Sequence, residues 1–139
     1  MDFSSINGFA VIACVLASMI IGSVWFGPKG FYPAWQKALG QIDKNDPNDQ
    51  NMGPVVRIFA FVIIASLVQA IFMAMVVNAM GSTTLVSGAL TGFLLWLGFI
   101  APASLTNKLF ADRVQAWYYE VGNHLVTFVV MGAILGAWQ

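Results

Sequence analysis

The sequence predicts an all-α membrane protein with four transmembrane helices in an antiparallel bundle and a short interfacial helix in the first cytoplasmic loop. Of its 139 residues, 59% are hydrophobic and only 9% are charged, whereas about a quarter of a typical soluble domain is charged. No charged residue occurs at positions 3–28, 58–107 or 121–139. Because a hydrocarbon core of about 30 Å needs roughly 20 apolar helical residues, these stretches provide one, two and one spans.

Local signals set the ends of the spans. The first stops at Gly27-Pro28, since proline lacks a backbone donor and disfavours a helical residue before it. Gly81-Ser82-Thr83-Thr84 forms a turn between the second and third spans, with hydroxyls suited to cap the next helix. We therefore predict one transmembrane domain over residues 1–139, with helices at about 6–27, 56–80, 84–107 and 117–138 and cytoplasmic loops at 28–55 and 108–116.

The cations indicate which way the helices face. With four spans, all six fall on one side of the membrane, in or beside the two loops, and the other side has none: they are Lys29, Lys37, Lys44, Arg57, Lys108 and Arg113. By the positive-inside rule this side is the cytoplasm. Both termini are therefore predicted on the outer side.

The first loop has two parts of different character. Phe31, Tyr32 and Trp35 lie in the stretch PKGFYPAWQKALG, which is typical of a short helix in the headgroup region. The following stretch, QIDKNDPNDQNMGP, places three aspartates at intervals of three residues. It lacks the central glycine and closing glutamate of a calcium loop, and we interpret it as solvated.

Polar residues collect where the predicted helices approach the cytoplasm. Glu120 and His124 are one turn apart and share a helix face, and two cations and two asparagines are expected at similar depth. We predict that Arg57 or Lys108 faces Glu120, with the amides and the imidazole around them. The candidate cluster comprises Arg57, Asn107, Lys108, Glu120, Asn123 and His124.

Three interpretations of this cluster remain open. It is a polar clasp between helices, a path for a solute, ion or proton, or a metal site. The aromatic residues Trp117, Tyr118 and Tyr119 before it are the belt expected at a membrane surface. Glu120 and His124 supply only two metal ligands, so a complete site would need another subunit. We favour the clasp and predict no metal or cofactor.

Three features lie deeper in the spans. Gln69 is near the midplane of the second helix, where it either bonds another helix or lines a polar path, and we favour the former. Pro102 is expected to kink the third helix and to free a carbonyl near Gly98. Small residues four apart predict close helix packing, within the chain or between copies: the pairs are Ser18 and Gly22, Gly88 and Gly92, and Gly132 and Gly136.

Several motifs together resemble a family of small bacterial membrane proteins catalogued as domain of unknown function 1761. These motifs are Trp25-Phe26-Gly27-Pro28, Pro33-Ala34-Trp35, Gly98-Phe99 with Pro102, Thr106-Asn107, Leu109-Phe110, His124-Leu125, and Met131 to Trp138. The resemblance implies a four-helix protein of the bacterial inner membrane with no assigned activity. Members often have an aromatic residue where this chain has His124, which argues against a catalytic role common to the family.

The predicted function is that of a multi-pass membrane protein that self-associates and forms a path for a small solute or ion. The alternative is a non-transporting scaffold, lipid-binding protein or accessory subunit. We expect no enzyme, because the sequence contains no convincing nucleophile and base, nucleotide motif or metal set. The net charge of zero gives no reason to expect a nucleic-acid partner, so the expected partners are the lipid bilayer and other copies of the chain.

Overall fold

Helices account for nearly all of the part of the chain that the computed structural model describes, residues 6–40 and 53–138, and no strand occurs within it. The three aspartates of the first loop and Lys44 lie outside these residues. Six α-helices and one π-helical segment follow one another: α1 (Gly8–Trp25), α2 (Tyr32–Ala38), α3 (Gly53–Ala79), α4 (Leu85–Leu95), the π segment (Trp96–Ile100), α5 (Ala101–Phe110) and α6 (Val114–Ala137).

Within the described part of the chain, four helices are long and apolar enough to cross a membrane, which confirms the predicted number. They are Gly8–Trp25, Val56–Ala79, Leu85–Phe110 and Val114–Ala137. The largest difference from the predicted bounds is at 108–116, where only residues 111–113 lie outside helices. The prediction separates the two helices at 108–116 because this stretch holds two cations and an aspartate, but charged residues near a membrane surface remain helical when their side chains reach water.

The helix ends have local causes. The side chain of Asn7 accepts hydrogen bonds from the backbone nitrogens of Phe9 and Ala10 at 3.0 and 3.3 Å, which satisfies donors at the start of α1. Gly81, with φ of 64°, follows α3, since a left-handed residue closes a helix most easily when it is glycine. Thr84 then forms a capping box with Ser87 and begins α4.

A short helix is present within PKGFYPAWQKALG, as α2. Proline stands in its first turn, and Gly40 follows its end with φ of 69°. The side chain of Arg113 donates a 2.8 Å hydrogen bond to the carbonyl of Leu39. A cation at this position also interacts favourably with the carbonyl end of the helix, so the connection before α6 holds α2 in place.

The third span changes helix type just before Pro102. In the π segment the backbone nitrogen of Ala101 donates to the carbonyl of Trp96, five residues earlier, and α5 begins with proline in its first turn. Proline has no backbone N–H to donate, and its ring clashes with the carbonyl four residues earlier in a regular α-helix. The predicted break is thus accommodated by a wide turn.

Glycines bring α4 and α6 into backbone contact. A Cβ added at Gly88 would clash with the carbonyl of Gly132, and one added at Gly92 would clash with the carbonyl of Phe128. Gly136 meets Gly88 and the carbonyl of Thr84 in the same way. The two glycine pairs therefore pack α4 against α6 within one chain. They do not support self-association, which stays a prediction.

The hydrophobic core lies at the end of the bundle where α1 begins and α3 ends. Helix α6 is central, since it contacts α1, α2, α3, α4 and α5. The buried core residues come from α1, α3 and α6: Ala10, Val11, Cys14, Ala70, Met73, Ala74, Val77, Phe128, Met131 and Leu135. In α1 and α3 these residues occupy one half of each helix only, so the other halves line something else.

Candidate functional site

A cavity of about 530 Å³ separates the other halves of α1 and α3. Its sides are formed by residues 18–26, in and just after α1, and by residues 58–69 of α3. Its back wall is formed by residues 123–127 of α6, and Tyr32 and Trp35 of α2 lie at one end. The opposite end meets the hydrophobic core. Gln69 lies about midway along the span Val56–Ala79, so the cavity extends from the α2 end to about the middle of the spans.

Glu120 anchors the α2 end of this cavity. Its Oε1 lies 2.8 Å from Nζ of Lys108 and accepts a 2.9 Å hydrogen bond from Nε1 of Trp35. The side chains of Lys108 and Glu120 are only 22% and 18% exposed, so the pair is held largely away from solvent. One carboxylate oxygen thereby joins α6 to both α5 and α2.

Asn123 presents a buried donor without a partner. Its Nδ2 is fully enclosed and makes no hydrogen bond to any described residue, while the side chain lines the cavity. A buried unsatisfied amide costs about 1–3 kcal/mol. Because this nitrogen is enclosed by protein, the Asn123 side chain meets the cavity through its other atoms.

His124 and Gln69 add two more polar groups to the cavity wall. Both are partly buried, and within residues 6–40 and 53–138 the side chain of neither makes a hydrogen bond that would join two helices. Ser66 and Thr127, both buried, line the same space. The polar groups of α3 and α6 thus converge on the cavity.

Two residues of the predicted cluster lie apart from it. Arg57 is exposed and forms no ion pair with Glu120, which pairs with Lys108 instead. Asn107 is also exposed, and its side chain makes no hydrogen bond among the described residues. The cluster therefore divides into an ion pair at the α2 end and unpartnered amide and imidazole groups along the cavity.

Gly22 faces the cavity and not another helix. Its spacing from Ser18 predicts close packing, yet nothing lies within 4 Å of a Cβ built on Gly22, and both residues line the cavity. The Ser18 hydroxyl donates to the carbonyl of Val15 at 2.8 Å. The small residues of α1 therefore leave room for an occupant.

Two other pockets are less suited to a ligand. One of about 200 Å³ has Gln69 among otherwise apolar residues of α3, α4, α6 and the π segment. A larger one of about 720 Å³ follows the turn from Ser23 to Phe31 and is a surface groove open to its surroundings. Neither combines enclosure with several polar groups. Within the described residues, no three His, Cys, Asp or Glu side chains come together as metal ligands.

Residues 9–136 match the family described as Protein of unknown function (DUF1761). The chain belongs to this family. The match covers nearly the whole of the DUF1761 chain, including all four long helices, and confirms the resemblance seen in the sequence. Neither a curated protein nor a solved structure matches it.

Trp25 and Trp35, each in one of the motifs noted in the sequence, have a common structural role. Nε1 of Trp25 donates to the carbonyl of Tyr119 at 2.9 Å, and Trp35 donates to Glu120. Trp96, outside these motifs, donates to the carbonyl of Val121 at 3.0 Å. All three indoles thus attach other helices to residues 119–121 of α6.

Sequence reasoning missed Trp35 as a partner of Glu120, and it missed the cavity itself. Trp35 was expected only as an interfacial aromatic residue. A signal was present, because a buried carboxylate needs donors and indole is a donor only. The cavity has no comparable signal, since it depends on α1 and α3 separating over half their length.

Proposed function

We propose that this protein binds a small uncharged ligand in the cavity between α1, α3 and α6. The observation that carries the proposal is that three polar side chains without hydrogen-bond partners among the described residues line one cavity: Asn123, Gln69 and His124. A pocket with apolar walls and a few converging polar groups is the usual form of a small-molecule site. A purely structural clasp would instead have paired these groups with one another.

We propose an uncharged ligand because no Asp, Glu, Lys or Arg lines the cavity among residues 6–40 and 53–138. Lys108 and Glu120, next to its α2 end, already neutralise each other. An unpaired ion in such surroundings is strongly unfavourable. Among the uses that the sequence predicts, a site for a neutral solute is therefore better supported than a path for an ion.

The proposed setting is the bacterial inner membrane, with four helices in an antiparallel bundle. The six cations on one side support an orientation in which α2 faces the cytoplasm and both termini lie outside. In this orientation the cavity occupies the cytoplasmic half of the bilayer, and the exposed Phe31 and Tyr32 suit an interfacial position for α2. We propose binding and not catalysis, since none of the described residues that line the cavity is a nucleophile hydrogen-bonded to a base.

Thiol labelling in lipid nanodiscs tests whether small neutral molecules enter the cavity. The only native cysteine, Cys14, is fully buried, so it contributes little background. Cysteine introduced by Ser18→Cys should react with N-ethylmaleimide, because the cavity admits the reagent and the water needed to form a thiolate. Ile20→Cys is the matched control: Ile20 is 64% exposed on the same helix and faces lipid, where a thiol stays protonated.

Filling the cavity should abolish this reaction. Gly22→Phe places a ring in the open space beside Ser18, whereas Gly98→Phe adds the same ring at an exposed glycine that also has nothing within 4 Å of its Cβ. Labelling of Ser18→Cys should be lost with the first and kept with the second. A Ser18→Cys thiol as unreactive as Cys14 would contradict the proposed site.

A second use of the cavity is passage of a solute. The cavity ends at the hydrophobic core, so passage requires a second conformation that opens the other end. Erythritol uptake by proteoliposomes tests this use: uptake that is lost with Gly22→Phe and kept with Gly98→Phe supports a carrier. Absence of uptake favours the non-transporting alternative, a ligand-binding or accessory subunit.

A further inference from the structure

We infer that the ligand is a single-chain amphiphile with an uncharged, polar head group, and that it enters from the bilayer between α1 and α3. This inference rests on the proposed binding function and specifies its ligand class. Three observations carry it: the side on which the cavity opens, the separation of polar from apolar walls, and the unpartnered amide.

The cavity opens sideways, at a level where lipid chains are expected. Ile58, Phe59 and Val62 line it and are nevertheless 61%, 51% and 45% exposed. They lie within the span Val56–Ala79. Across the opening, Ser23 of α1 is exposed as well. A molecule dissolved in the bilayer therefore reaches the cavity without crossing α2.

The walls of the cavity differ in polarity. The walls next to the opening are apolar, with Met19, Phe26 and the three exposed α3 residues. The back wall on α6 presents Asn123, His124 and Thr127, and Gln69 lies at the deep end. An amphiphile fits this division with its head group against α6 and its chain directed out between α1 and α3, since each part then meets surface of its own kind.

The amide of Asn123 selects the chemistry of the head group. Its Nδ2 is enclosed by protein, but the side-chain amide has both a donor and an acceptor end, so a head group that can both donate and accept, such as an amide or a hydroxyl, fits this wall. Gln69 and His124 provide further donor and acceptor capacity at the same wall. A cavity of about 530 Å³ is of the size that holds drug-sized molecules, which favours one chain over a two-chain phospholipid.

The single histidine makes His124 a site-specific reporter. Because the chain contains one histidine, 15N-histidine labelling of protein purified through a histidine-free tag gives NMR signals from the cavity alone. Octanamide, with an uncharged amide head and one chain, is titrated into protein in lipid nanodiscs at constant pH. We expect a saturable shift of the His124 signals.

Matched probes separate the parts of the inference. Acetamide has the same head without the chain and should bind at least about tenfold more weakly, as expected when several buried CH₂ groups are lost. Octyltrimethylammonium has the chain with a permanent charge and should give no saturable shift. Asn123→Leu should weaken octanamide binding by about tenfold or more, the loss of one buried hydrogen bond, and Gly22→Phe should abolish it.

The outcomes are distinguishable from failure of the proposed function. Equal binding of acetamide would overturn the amphiphile and leave the cavity as a site for small neutral solutes. Equal binding of octyltrimethylammonium would overturn the uncharged head group. A shift that persists in Gly22→Phe would show that octanamide acts through the bilayer, and absence of any shift while Ser18→Cys reacts with N-ethylmaleimide would refute the amphiphile alone. Loss of that reaction as well would refute the site.

Discussion

Nε1 of Trp35 donates a hydrogen bond of 2.9 Å to Oε1 of Glu120, the same oxygen that lies 2.8 Å from Nζ of Lys108. A hydrogen bond to a carboxylate is stronger than one between neutral groups. This shared oxygen connects the short helix α2 to α5 and α6, next to the α2 end of the cavity.

Glu120→Gln should therefore destabilise the protein by about 1–3 kcal/mol, because it removes the charged acceptor and leaves Lys108 partly buried without its counter-charge. Trp35→Phe keeps the ring and removes only the N–H group, so it should cost less, about 0.5–1.5 kcal/mol. Equilibrium unfolding in mixed micelles measures both. No loss with Glu120→Gln would mean that water solvates the pair and that it contributes little.

Asn123→Leu should raise stability by about 1–3 kcal/mol, since it replaces an enclosed, unpartnered amide with an apolar side chain of similar size. The same substitution should weaken binding of octanamide. Thermal unfolding and the His124 titration on one sample measure the two effects. A loss of stability would indicate instead that Asn123 clasps neighbouring helices, the interpretation that the sequence favours.

Gly88→Ala should cost about 3 kcal/mol or more, because the added methyl meets backbone atoms of α6 that cannot move independently. Gly132→Ala places a methyl against Gly88 and should have a similar effect. Gly98→Ala is the matched control, with nothing within 4 Å of the added Cβ, and should be neutral within about 0.5 kcal/mol. Unfolding in increasing denaturing detergent compares the three variants.

Asn45→Cys should remain unlabelled when intact cells are treated with a membrane-impermeant maleimide, whereas Thr83→Cys should be labelled. Asn45 lies outside the described residues, so its choice rests on the sequence alone. Thr83 is exposed in the turn between α3 and α4. The expectation follows from the positive-inside rule, by which loops that carry the cations stay in the cytoplasm. The reverse pattern would contradict the orientation, while breakage of the cells should label both.

How much of this structure the sequence predicts depends on the range of the interactions involved. Span number follows from the charge-free stretches, because the bilayer demands helices of that length. The sequence predicts either Lys108 or Arg57 as the partner of Glu120. It cannot choose between them, because the chain shows how deep a residue lies along its helix but not how the helix is rotated about its axis.

The cavity depends on longer-range geometry. Whether Gly22 meets a neighbouring helix or open space is decided by the angle between α1 and α3, and the spacing Ser18-x-x-x-Gly22 is the same in both cases. Gln69 was expected to bond another helix, yet its side chain faces the cavity without a partner among the described residues. Local patterns do not contain the relative tilt of two helices.

The wide turn at Trp96–Ile100 also affects how this chain can be compared with others. A π segment holds one residue more than the α-helix that it interrupts, and each residue turns an α-helix by about 100°. The residues of α5 are therefore rotated by about 100° relative to an uninterrupted α-helix. In this position the Ser104 hydroxyl accepts a 3.0 Å hydrogen bond from Nε1 of Trp117. A homologue with one residue fewer here would present a different side chain to that indole. Residues after the turn should therefore be compared with those of a homologue that lie on the same face of the helix. A one-residue alignment gap at this point would reflect a change of helix type in an otherwise continuous span.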